Sequence, residues 1–222
     1  MGVPDDLTGP DRLDRNGSAY FPPPGPDLAY FYAANAHDPR AGVMHEGVHY
    51  QQLCLSWRHP RPVRRHYYDS TSNEGIAFYN EELMLASGMF DDAPRVREIV
   101  YNFMRLRAVR VVVDVQLATG QLVIDAAAAY LETAVPMDRT TARWEAAFFA
   151  ATPGQAMTYQ IGKTQILRLL ADAVREQGER FSLQAFHDRL WLEGNVPLSL
   201  QRWELLGDRS DLDRVDAMRA GT

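Results

Sequence analysis

The amino-acid sequence predicts a mainly α-helical protein. Three observations carry that expectation. From Gly42 onward, apolar residues recur at helical spacing, and no run alternates in the way a half-buried strand does. These periodic runs start at Ser, Thr or Asp and stop at Gly or Pro, the residues that cap and break helices. No segment repeats, so the helices do not form a solenoid.

The elements follow in order. Residues 1–18 are polar, acidic and contain Pro and Gly, which predicts a disordered or flexible arm. "AYFPPPGPDLAYFY" comes next. Its four prolines in five positions forbid a helix there, and its aromatic residues predict an extended strap lying across the body. A short edge strand is expected at Ala29–Ala33. The first helix is expected over about 42–58, ending before Pro60. "DSTSNEGIAFYNEELMLASG" has a capping cluster at Asp69–Ser72 and a stop at Gly88. A long helix runs from Pro94, suited to a first turn, to Gly120. "IDAAAAYLETAV" and "RTTARWEAAFFAAT" are shorter helices closed by Pro136 and Pro153. "GQAMTYQIGKTQILRLLADAVREQG" ends near Gly178. "SLQAFHDRLWLEG" starts at Ser182 and stops at Gly194, and "PLSLQRWELLG" is the last helix. Residues 19–207 thus read as one helical domain, with 208–222 as a tail.

Composition excludes several classes. The chain has 222 residues, 46% hydrophobic and 23% charged, ordinary for a globular domain with its own core. A formal net charge of -6 argues against nucleic acid as a partner. The single cysteine, Cys54, rules out an intrachain disulfide framework and a Cys-rich zinc finger. No apolar run approaches the ~18 residues of a membrane span. The acidic start lacks the basic and apolar regions of a signal peptide, so a cytoplasmic location is expected.

The chemistry centres on "VMHEGVHYQQL". Residues four apart on a helix share a face, so His45 and His49 can offer both imidazoles to one ion. Glu46 lies about 100° further round, placed to hold a water as general base. Chance alone produces HExxH in about one chain in a hundred of this size and composition. A third ligand should come from the next helix, antiparallel to the first, and Glu74 near its start fits. Glu81 and Glu82 read as a solvated face. Two histidines and a carboxylate suit Zn2+, and also Fe2+ or another divalent ion; Glu46 tips the expectation toward zinc.

Five ordered motifs, "HEGVHYQQL", "NEGIAFYNEEL", "RAVRVVVD", "PGQAMTYQIG" and "FHDRLWLEGNVPL", resemble a bacterial family catalogued as domain of unknown function 885. That family is placed among gluzincin-type, zinc-metallopeptidase-like proteins, and the similarity covers about Tyr20 to Leu200. The resemblance implies a helical metal-dependent hydrolase. Glu74 takes the third-ligand position and Glu46 the base position, while Tyr159 stands where a hydrogen bond to an oxyanion would come from. It also puts Arg107 and Arg110 among the family's arginines. Arg110 and Asp114, four apart and set among valines, suit an ion pair, or else an anchor for an acidic substrate group. His187 and Asp188 match the last motif, where a lone histidine on an amphipathic helix reads first as packing.

The chain also departs from the family pattern. The family's histidines are two residues further apart, and Ala118 stands where relatives carry a histidine. Most relatives are longer. The short form implies a small-molecule or short peptide-like substrate of a specialised kind, or a homo-oligomer or partner that completes the cleft. The expected activity is hydrolysis of an amide, ester or similar carbonyl. Two alternatives stay open: a repurposed biosynthetic metalloenzyme catalysing cyclisation, elimination or isomerisation, and a non-catalytic binding relative.

Overall fold

The computed structural model describes residues 27–221. The expected flexible arm and most of the proline-rich strap lie outside the described residues. The fold is helical: α1 (Tyr30–His37), α2 (Arg40–Ser56), α3 (Pro62–His66), α4 (Ser70–Ala86), α5 (Pro94–Ala118), α6 (Ile124–Ala134), α7 (Arg139–Ala151), α8 (Gln155–Gln177), α9 (Leu183–Leu192), α10 (Leu198–Leu206) and α11 (Ser210–Ala220). Among the described residues the only β pairing is an isolated bridge between Tyr68 and Asn195.

One expectation is corrected, and two further segments carry helices that the sequence reading did not name. The edge strand at Ala29–Ala33 is instead the start of α1. Its rings pack edge-on, Tyr30 against Phe31 at 5.1 Å and against Phe103 at 5.8 Å. That burial outweighs the weak strand preference of a short aromatic run. The arginine- and histidine-rich segment between α2 and α4 contains the one-and-a-half-turn α3, begun by Pro62 in its first turn. The segment read as a tail carries α11, tied back to the body by Arg168 with Asp211 at 3.2 Å.

Elsewhere the capping chemistry sets the boundaries. Asp69 accepts a hydrogen bond from the Thr71 amide at 2.7 Å and starts α4. Asp138 accepts from Thr141 and starts α7, and Ser182 does the same for α9. Three hydrophobic clusters hold the helices together. One joins α2, α4, α8, α9 and α10 around Ile76, Ile166 and Leu190. Another joins α5, α6 and α7 around Leu106 and Leu131. The third seats α1 and α2 on α5 around Phe90 and Val100.

One helix crossing bears on the site. Gly75 of α4 and Gly162 of α8 meet backbone to backbone: a Cβ on Gly162 would lie 2.0 Å from the Thr71 carbonyl oxygen, and one on Gly75 would lie 2.6 Å from the Gly162 backbone. Only glycine permits that approach. Glu74 is the neighbour of Gly75, so the crossing sets where its carboxylate stands.

Candidate metal centre

α2 and α4 pack against each other, and their facing sides bring His45, His49 and Glu74 together. The Nε2 atoms of the two histidines are 3.3 Å apart, and each is 3.6 Å from Glu74 Oε2. A triangle with those sides has a centre about 2.0 Å from each corner, the ligand distance of zinc sites. Glu74 Oε2 is buried and has no hydrogen-bond partner. Three lone-pair atoms therefore converge on one point, and one of them is an orphaned carboxylate oxygen. The donor set fits a divalent ion.

A residue read from sequence as solvated belongs to this site. Glu81 is fully buried, and its Oε1 accepts from His45 Nδ1 at 2.6 Å. That bond keeps a ring proton on Nδ1 and aims Nε2 at the cluster centre, where an ion would take the place of the second proton. Arg107 Nη2 donates to the same oxygen. Glu82, its neighbour, instead pairs with Lys163 at 2.8 Å near the surface. The signal for Glu81 was available: it stands seven residues after Glu74, two helical turns along the same face.

Charge inside the cluster is balanced. Burial alone would lower the His45 pKa, but Glu74 and Glu81 outweigh it and push it up to about 9. Burial would raise Glu74, yet the two imidazoles hold it well below the usual carboxylate range. Glu81 is likewise lowered, with Arg107 and His45 overcoming its burial.

Beside the cluster lies a cavity of about 520 Å3 whose wall includes His45, Glu46, Arg107 and Tyr159. Glu46 is exposed, and no hydrogen bond or ion pair among the described residues involves its carboxylate. The Tyr159 ring stacks on His45 at 6.1 Å and lies between the guanidinium groups of Arg107 and Arg110, each 5.6 Å away. Burial and then the Glu74 charge push its hydroxyl well above the ordinary tyrosine range, so it stays protonated.

The arginines are held differently from the expected pattern. Arg110 does not pair with Asp114. It makes a bidentate pair with Glu145 of α7, at 2.5 and 2.7 Å. Asp114 accepts from the backbone amides of Gly154 and Ala156, both at 2.8 Å, and so caps α8. The cap wins because the bare amides of a helix start offer an acceptor several converging donors. His187 bonds to the Tyr79 hydroxyl at 2.8 Å and packs on Trp191, in keeping with a packing role. Ala118 is the exposed last residue of α5.

Fold and site together define an all-helical protein with a two-histidine, one-carboxylate cluster set at a cavity wall. The chain belongs to the family described as bacterial protein of unknown function (DUF885), whose model matches residues 7–205. A crystal structure from Colwellia psychrerythraea, titled as that of a "putative lipoprotein", is similar, with 28% identity and a TM-score of 0.69. The match covers 75% of this chain and 29% of that one, so this chain spans under a third of the neighbour's length. No curated protein matches the chain. No helix among the described residues is long and apolar enough to cross a membrane.

Proposed function

We propose that this protein is a gluzincin-like, zinc-dependent hydrolase acting on an amide, ester or similar carbonyl. The observation that carries the reading is the His45–His49–Glu74 triangle, with the unpaired Glu46 carboxylate in the adjoining cavity. His45 is oriented by Glu81, as ligating histidines are in metal enzymes. The same ligands suit Fe2+, and Glu46 favours zinc because hydrolysis needs a base beside the ligands.

When bound, the ion would supply Lewis acidity, making a water more acidic and polarising a carbonyl. Glu46 is the proton acceptor: its carboxylate is unpaired, faces the cavity and follows a ligand directly in sequence. It would then return that proton to the leaving group. Tyr159 remains protonated and offers its hydroxyl to developing negative charge. Arg107 and Arg110 are each bonded to a buried carboxylate. In this reading they position Glu81 and Tyr159 rather than hold a substrate anion.

The test combines elemental analysis with Glu46→Gln. Wild type should hold one zinc per chain, and the variant should keep it while turnover falls at least about a hundredfold. Full turnover in the variant would sink the mechanism. Product masses separate hydrolysis, which adds the mass of one water, from Lewis-acid cyclisation, elimination or isomerisation.

A further inference from the structure

We propose that the cavity beside the cluster is a specificity pocket for a bulky, uncharged, aromatic side chain on an amide substrate, an inference that rests on the hydrolase reading above. His45 and Glu46 form part of its wall, so a group seated there adjoins the position where bonds would change. Its volume of about 520 Å3 lies in the range of small-molecule sites. Phe31 and Tyr32 of α1, Phe103 of α5 and Trp144 of α7 give it aromatic walls.

Each arginine charge in the wall is opposed by a buried carboxylate, whereas the Glu46 carboxylate is opposed by no cation among the described residues. Arg107 bonds to Glu81, and Arg110 holds Glu145 in a bidentate pair. Their guanidinium faces rest on rings, Arg107 over Phe103 at 5.9 Å and Arg110 over Phe31 at 5.5 Å. The Arg107 Nε and Nη1 are buried and unpartnered, but their charge is neutralised by Glu81, and a substrate carboxylate in the pocket would face the unopposed Glu46 charge, so the pocket selects against acids. An apolar ring displaces water from apolar walls and meets no such repulsion.

A polar handle completes the pocket. The Asn35 side-chain oxygen is buried without a hydrogen-bond partner, and Asn35 lines the cavity. Gly42 makes room for it, since a Cβ there would lie 2.5 Å from that oxygen. A free acceptor suits an N–H of the substrate, which an amide has beside its carbonyl.

The test is calorimetric titration of the full chain, both chelated and zinc-loaded. The probes are N-acetyl-phenylalaninamide, N-acetyl-glycinamide and N-acetyl-aspartamide. The phenylalanine probe should bind at least about tenfold tighter than the other two in both metal states. Thr140→Trp, at an exposed rim position, should weaken that probe at least about tenfold while zinc content and melting temperature hold. Asn35→Ala should weaken it about three- to tenfold in a protein with unchanged circular dichroism. Equal affinity for the three probes, a preference seen only with zinc, or no effect of Thr140→Trp overturns the pocket; unchanged affinity in Asn35→Ala overturns the amide handle. Aromatic preference in the chelated chain without hydrolysis by the zinc form would count against the hydrolase reading alone.

Discussion

Replacing Gly162 by alanine tests whether the α4–α8 crossing sets the metal cluster. Two effects oppose each other. Alanine favours a helix interior over glycine by about 1 kcal/mol. The added Cβ, however, would stand 2.0 Å from the Thr71 carbonyl oxygen and 2.7 Å from the Gly75 Cα. Normal contact is about 3.5 Å, so α4 and α8 must part by more than about an ångström. Overpacking of that kind costs about 1–3 kcal/mol or more, and both contacts here are with backbone, which cannot rotate aside. The clash therefore wins. Glu74 moves with the first turns of α4, while His45 and His49 stay on α2. Its oxygen, now 3.6 Å from each imidazole, would then sit too far out for one ion to reach all three atoms. Expected outcomes are a net destabilisation of about 1–2 kcal/mol in urea unfolding and at least about a tenfold loss of zinc affinity by chelator competition. Gly47→Ala is the control. It lies between the two histidines, but its Cβ would meet only Val43 Cγ1, at 3.4 Å. It should gain up to about 1 kcal/mol with zinc affinity kept. A Gly162→Ala protein equal to wild type in both measurements would refute the argument.

Glu81→Gln leaves the Arg107 charge buried and unpaired and removes the carboxylate that orients His45; zinc affinity should fall about ten- to a hundredfold and stability by about 3–5 kcal/mol. Affinity within about twofold of wild type, measured by competition, would exclude Glu81 from the site. In chelated protein, the raised His45 pKa contributes stability in full below its ordinary 6.5 and loses it as pH climbs through about 9. Zinc must displace that proton, so binding at about pH 7.5 should release close to one proton, read by calorimetry in buffers of different ionisation enthalpy; no release would contradict it. Tyr159→Phe should cut turnover about ten- to a thousandfold with little change in melting temperature. A drop in stability with turnover per folded molecule intact would make the hydroxyl structural instead.

The parts of the site legible in sequence are those that local geometry decides. The i,i+4 pair His45 and His49 needs nothing but a helix, and Glu74 needs only that the next helix turn back on the first. Glu81 was missed because an acidic pair, Glu81 and Glu82, looks like a wet surface. Their fates diverge through burial: Glu81 faces α2 and Arg107, while Glu82 meets Lys163 of α8. The Arg110–Asp114 expectation failed for a related reason. Spacing makes such a pair feasible, but partners from distant segments compete, and Glu145 and the start of α8 each offer better geometry. The Ala29–Ala33 strand failed because tertiary burial of Tyr30 and Phe31 overrides local preference.

Two sequence motifs that look independent are one device in the structure. "RAVRVVVD" ends in Asp114, and "PGQAMTYQIG" begins at the turn whose amides Asp114 receives. Gly154 adopts a left-handed φ of 89°, which lets its amide and that of Ala156 point at a single carboxylate. The cap thereby fixes the start of α8 against α5. Tyr159 is five residues beyond Gly154, so its ring is delivered between Arg107 and Arg110 and onto His45. Arg107 in turn holds Glu81, which orients His45. An unbroken chain of contacts thus runs from a helix cap on α8 to the ligand atom on α2. Spacing of chemical groups suffices to recognise the ligands, but their precision comes from this support, built of residues tens of positions apart. It also explains a buried aspartate among valines with no cation beside it: its partners are backbone amides, which composition and charge patterning do not reveal.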